Sequence, residues 1–364
     1  MSPAAKIPVI DVSSASHDEQ AKVAKELVEA AIEHGFVYIR NRGADIPVDA
    51  VENAFHLGNK IFSAPVEEKE KCTIQKDNRG WSGMNYETLD PKNQRVGDFK
   101  EAFNFGQFVN GKAQQPLPES FVPYESQVEV FYDYCYNLSL KINHLLGIGL
   151  GVSPPTFFRD RHLRERGSSG NTLRFLYYPP LSSLASSAAA DLSSATAEDV
   201  RAGAHSDYGS ITLLFRLRGQ AGLEVDTGNG TWAPVPVTPP GTEDDPAPPI
   251  LVNIGDLLSY WTNGLLRSTV HRVVFPSPGS SGNNVVSGET GDSPRYSIAF
   301  FCHPVGSTTL EPVPSERVRN HKPENGFERG GNPDAERKAI TADQHLQMRL
   351  QASYLQLYEK DGKK

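Results

Sequence analysis

His205 and Asp207 lie two residues apart in the segment Ala204 to Leu217, whose run Ile211, Thr212, Leu213, Leu214 and Phe215 reads as a buried strand. Side chains two apart on a strand project to the same side, so an imidazole and a carboxylate there can hold one metal ion. A third ligand must come from elsewhere, and His271 offers it from a second strand-like run, Ser268 to Val274. Two imidazoles and one carboxylate hold Fe(II) and leave three coordination positions open to a co-substrate and O2. With ten histidines in the chain, an HxD pair alone is a weak signal. Its company strengthens it. Arg295, Tyr296 and Ser297 follow, then Ile298, Ala299, Phe300 and Phe301, so Arg295 and Ser297 share a strand face with Ala299 and Phe301. A guanidinium aimed into an apolar interior needs a partner, and a carboxylate held by its fork is the best one. No acid nearby in the sequence is an evident mate, so a bound carboxylate ligand is the economical reading.

The order HxD, a Gly-Asp turn, SxxxHRV and RxS resembles the 2-oxoglutarate and Fe(II) dependent dioxygenases, in the branch that includes isopenicillin N synthase and the plant flavonoid and gibberellin oxidases. Further islands in the same order are similar to that branch: Ile7 to Asp11, His34 to Ile39, Phe62 to Pro65, Asp98 to Phe103, Leu173 to Pro180, and Gly222 to Val225 with Trp232. The resemblance implies a mainly β chain with flanking helices around a double-stranded β-helix, a jelly roll of cupin type. It implies Fe(II) on His205, Asp207 and His271, with 2-oxoglutarate and O2 as co-substrates. Arg295 and Ser297 are similar to the family's clamp for the far carboxylate of the oxo acid. Tyr178 corresponds to a tyrosine that reaches the co-substrate in plant members. Many plant members carry an asparagine two residues before that tyrosine; here the position is Leu176, and Arg174 on the same alternating face is a candidate to compensate.

The implied reaction is oxidation of a C–H bond of a small organic molecule, by hydroxylation or by related desaturation or cyclisation, in secondary metabolism. Phe301 should face the pocket, with Phe215 and Leu213 beside it. In the family the N-terminal region covers the open end of the barrel, which makes Asn85, Tyr86, Phe99 and Phe103 pocket candidates. Two alternatives stand beside this reading. RxS also serves a substrate carboxylate in oxidases of the isopenicillin N synthase type, which need no oxo acid. A non-catalytic jelly-roll binding protein would be favoured had a ligand been lost, but all are present.

The elements that must position these residues are partly legible. Glu19 to Glu33 reads as an amphipathic helix stopped by Gly35, Val48 to Phe62 as a second, Glu125 to Leu150 as a long third and Ile340 to Tyr358 as a fourth. A turn at Asn253 to Asp256 should lead into another strand. The resulting division is an N-terminal region 1–120 covering the pocket, a bracing helix and connection 121–170, a catalytic core 171–305 and a C-terminal extension 306–364. Three stretches, 181–202, 238–249 and 277–294, are rich in Ser, Ala, Pro or Gly and read as loops, the first leading straight onto His205. The first loop and the C-terminal helix are both candidate gates.

The chain has 364 residues and a formal net charge of −8, which argues against nucleic acid or an anionic membrane as partner. Three scattered cysteines make no disulfide framework, and no apolar run approaches membrane-spanning length. A cytoplasmic protein, monomer or homodimer, is expected.

Overall fold

The computed structural model describes residues 3–13, 17–90, 97–180, 201–228, 230–274, 293–321 and 339–353. Twelve strands carry the fold: β1 (Val9–Ile10), β2 (Phe36–Ile39), β3 (Gly80–Ser82), β4 (Glu101–Phe105), β5 (Thr172–Tyr178), β6 (Ala202–His205), β7 (Ile211–Arg216), β8 (Leu223–Asp226), β9 (Trp232–Pro234), β10 (Ile250–Ile254), β11 (His271–Val273) and β12 (Arg295–Cys302). Eight form a sheet in the order β1-β2-β10-β7-β12-β5-β4-β3, and four form a smaller one, β6-β11-β8-β9. The two sheets make the double-stranded β-helix. The helices are α1 (His17–Glu33), α2 (Val48–Phe62), α3 (Val66–Glu70), α4 (Glu125–Gly149), α5 (Phe157–Arg161), α6 (Asp256–Trp261), α7 (Glu316–Asn320) and α8 (Ala342–Ser353).

Both faces of the large sheet are covered, and alternation sorts every strand residue between them. On β12, Tyr296, Ile298 and Phe300 point outward to the helices, while Arg295, Ser297, Ala299 and Phe301 point inward. On β5 the inward set is Arg174, Leu176 and Tyr178. The outer layer is the main core, where Phe300 meets Tyr132 of α4 at 5.1 Å and Phe215 of β7 meets Phe131 at 5.2 Å. The inner layer is smaller, built from residues such as Tyr38, Leu176, Val225, Leu251, Val273 and Ala299. Phe300 is fully buried, so Phe300→Ala should cost about 3–5 kcal/mol of unfolding free energy, read by denaturant titration. A loss below about 1 kcal/mol would contradict the packing of the outer sheet face on α4.

The turn from α1 into β2 needs Gly35, which has φ +68° and sits so close to Arg267 that a Cβ would fall 2.3 Å from its carbonyl oxygen. The expected strand after Gly255 is instead helix α6, whose Leu257, Leu258, Tyr260 and Trp261 are all buried. A short apolar run buried on every side carries no period that separates strand from helix. The loop 238–249 is anchored rather than free, since Asp245 accepts from Arg40 Nε at 2.8 Å and from Nη2 at 3.0 Å. The expected loops 181–202 and 277–294 fall almost wholly outside the described residues, so neither gating nor shape is described for them. Among the described residues no helix is long and apolar enough to cross a membrane.

Candidate metal centre and co-substrate clamp

β6 ends at His205, and the chain turns through Ser206 to Gly209 before β7, so Asp207 sits in that turn and not on a strand as alternation had implied. β11 pairs with β6 so that His271 stands opposite His205, with a register irregularity before Val273. The Nε2 atoms of both imidazoles lie 3.8 Å from Asp207 Oδ1. The three ligand atoms all fall within 4.8 Å of one another.

The remaining polar atoms of these groups are committed elsewhere. His205 Nδ1 donates to the Gly203 carbonyl at 2.7 Å and His271 Nδ1 to the Thr269 carbonyl at 3.1 Å, which fixes tautomers whose Nε2 lone pairs face the cluster. Asp207 Oδ2 accepts from Thr212 Oγ1 at 2.6 Å and from Asn253 Nδ2 at 2.7 Å, leaving Oδ1 toward the imidazoles. Burial, then the second imidazole, takes His205 down to about 3, so it is neutral and able to ligate. Burial alone would raise Asp207, but the imidazoles and the two hydrogen bonds outweigh it and hold the carboxyl below its ordinary value. The donor set therefore fits Fe(II): two neutral nitrogens and one carboxylate oxygen, each held by a second contact. Thr212→Val keeps the shape and deletes one support of Asp207. It should weaken Fe(II) binding by about 10–100-fold, measured by anaerobic titration; unchanged affinity would remove Thr212 from that role.

Arg295 fits a carboxylate. Its side chain is buried, Nε donates to the Ala221 carbonyl at 3.0 Å, and the guanidinium lies 4.9 Å from the Tyr178 ring centre. Nη1 has no hydrogen-bond partner and, among the described residues, no carboxylate pairs with this arginine. Burial lowers its pKa, an effect that a bound anion would offset. Ser297 is buried two residues along, opposite Leu176 and Arg216. A second buried guanidinium, Arg201, is pushed down to about 10 by burial and then by the charge of Arg295. Sequence reasoning had not marked it, because it precedes HxD inside a segment read as loop.

Residues 7–125 match the family model described as non-haem dioxygenase in morphine synthesis, N-terminal, and residues 170–304 match the 2OG-Fe(II) oxygenase superfamily. The chain belongs to the 2-oxoglutarate and Fe(II) dependent oxygenases. It is 35% identical over 319 residues to a UPF0676 protein of Schizosaccharomyces pombe, covering 86% of each chain. It is 30% identical over 327 residues to a 2-oxoglutarate-dependent dioxygenase of Dothideomycetidae sp., covering 85% of this chain and 88% of that one. A Neurospora crassa protein crystallised with alpha-KG and thymine superposes with a TM-score of 0.70 at 28% identity, over 95% of this chain and 96% of that chain. This oxygenase thus uses Fe(II) and 2-oxoglutarate.

The oxygenase's cleft encloses about 460 Å3, part of it open to solvent. Its lining includes His205, Asp207, Tyr208, Glu87, Arg174, Phe301, and Leu346 and Leu350 of α8. Of the expected pocket residues Phe301 is there, and six are not, among them Leu213, which is buried in the outer layer on the same face of β7 as Phe215. Phe215 and Phe103 (0% exposed) belong to the outer layer, the latter 4.9 Å from Phe105, because alternation on β7 and β4 turns them to the helices. Asn85 is exposed at a left-handed turn of φ 60°. Tyr86 packs beside Leu350 at the rim and Phe99 is buried, neither of them in the lining. Arg174 is no surface arginine: it is buried against Glu87 and Asn104. Asp98 and Lys100 lie in the stretch Asp98 to Phe103, where the sequence singles out only Phe99 and Phe103 as pocket candidates.

Helix α8 closes one side of the cleft. Its Arg349 pairs with buried Asp256 at 2.7 Å, and Asp256 accepts from Ser206 at 3.0 Å and from Ser268 at 2.7 Å. The helix is thereby tied to Ser206, the residue between His205 and Asp207.

Proposed function

We propose that His205, Asp207 and His271 hold the Fe(II), that Arg295 with Ser297 and Tyr178 binds the far carboxylate of 2-oxoglutarate, and that the enzyme oxidises a C–H bond of a small organic molecule in the cleft. Bound iron supplies O2 activation coupled to loss of CO2 from the oxo acid. The chain supplies position and dryness. Thr212 and Asn253 hold Asp207 so that one oxygen faces the metal and the other stays in the protein. Gly203 and Thr269 orient the imidazoles. Arg295, fixed through Nε to Ala221, aims its remaining N–H groups at one end of a diacid while the ligand cluster takes the other. Phe301, Leu346 and Leu350 exclude water around the reacting carbon.

The observation that carries this reading is the buried Arg295 Nη1 atom with no partner, on a strand that also lines the metal cleft. The relatives' names, and the neighbour crystallised with thymine, support an organic substrate of this size. Anaerobic titration of the Fe(II)-loaded protein with 2-oxoglutarate tests it. Chelation of iron by the oxo acid should give a weak visible charge-transfer band that Arg295→Gln displaces to much higher 2-oxoglutarate. Iron bound without any band would favour an oxidase that needs no oxo acid.

A further inference from the structure

In and behind the cleft wall lies a group of four buried charges that the metal centre and the clamp do not use. Glu87, from the segment after β3, faces the cleft beside Arg174 of β5. Arg174 Nη1 donates to both Glu87 oxygens at 3.3 Å, and its Nε donates to Asn104 Oδ1 at 2.8 Å. Lys100 stands behind, 2.9 Å from Glu87 Oε2 and in contact with Asp98. Burial pulls the Lys100 ammonium down, but the Asp98 and Glu87 carboxylates raise it well above its ordinary value, so it is charged. Two cations and two carboxylates balance.

This wall is tied to the metal site. Asp98 Oδ1 accepts from the Gly203 amide at 3.1 Å, and the Gly203 carbonyl accepts from His205 Nδ1. Gly203 of β6 thus links this wall to His205. Beside Arg174 the wall turns apolar: its guanidinium lies 5.3 Å from the Phe301 ring centre, and Leu89, Leu346 and Leu350 also line the cleft.

We propose that Glu87 and Arg174 form the edge that reads the prime substrate, and that it selects an uncharged molecule with adjacent N–H donor and carbonyl acceptor, an amide, lactam, imide or ureide, its less polar body against Phe301, Leu346 and Leu350. The inference rests on the oxygenase reading above. A carboxylate offers only acceptors and a guanidinium only donors, so side by side they match a neighbouring donor and acceptor. The charge balance argues for neutrality. An anionic or cationic substrate would meet a wall whose four charges already balance, so its own charge would be desolvated against a pair of matched carboxylates and cations.

The test uses three molecules of one shape: nicotinamide, nicotinate and 3-(aminomethyl)pyridine, with uracil and glutarimide as further uncharged amides. Each is titrated anaerobically into the Fe(II) and 2-oxoglutarate complex while the charge-transfer band is followed. The uncharged amides should perturb the band with a Kd at least roughly tenfold below both charged molecules, the scale of one charge-assisted hydrogen bond. Glu87→Gln leaves a cation in excess and should turn the preference toward nicotinate. Arg174→Gln leaves a carboxylate in excess and should turn it toward the amine. A merely structural role for the pair would weaken all three molecules alike, and that result would overturn the proposal. So would a charged molecule binding the unaltered enzyme as tightly as the amides, or a failure of every uncharged amide to perturb the band. Thermal melting shows whether each variant folds. If 2-oxoglutarate produces no band at all, it is the oxygenase assignment of the residues that fails.

Discussion

Alanine at His205 should abolish turnover, by at least about a thousandfold, while the protein still folds. The side chain faces the cleft, and its Nδ1 donates to the neighbouring Gly203 carbonyl, so truncation opens no hole in the main core. It removes one of the three proposed metal ligands. Asp207→Ala should be equally inactive but less clean, since it leaves the Thr212 hydroxyl and the Asn253 amide without their buried acceptor, at about 1–3 kcal/mol. Coupled succinate formation measures the activity, and a melting curve separates lost chemistry from lost fold. Full activity in His205→Ala would remove this residue from the metal centre.

Arg295→Gln should raise the 2-oxoglutarate concentration needed for half-saturation by about a hundredfold, the scale expected when one partner of a buried charged pair is removed. Iron affinity should hold, because Arg295 is not one of the three ligand residues and its Nε bond goes to Ala221 rather than to a group that orients them. Arg295→Lys keeps the charge but loses the fork and the Nε bond to Ala221, so it should fall between the two. An unchanged requirement would mean that Arg295 holds some other anion.

What the sequence made legible follows from how local each signal is. HxD, HRV and RxS name their residues directly, and alternation on β12 correctly turned Arg295, Ser297 and Phe301 to one side. Helices α1, α2 and α4 run close to the expected bounds because one apolar stripe on each meets the sheet. Alternation separates two faces but does not say which is the inside. Here both are buried, one under helices and one around the cleft, so Phe215 and Phe103 carried the same apolar signal as Phe301 and went to the opposite layer. Asp98 and Lys100 illustrate a different limit. Read alone, each charge looks solvated, and only the approach of Glu87 and Arg174 from distant segments makes them a buried group. Arg201 escaped for a related reason, its significance lying in how near the fold brings it to Arg295.

The described lining of the cleft contains neither cysteine nor methionine. All three cysteines are buried and unpaired, and burial raises each thiol, Cys302 to about 12, so none is a thiolate at neutral pH. Were O2 activated with no substrate in place, that lining would offer the rings of Tyr208 and Phe301 and no sulfur. Idle cycling should therefore end in ring hydroxylation, a lesion that no thiol reductant reverses.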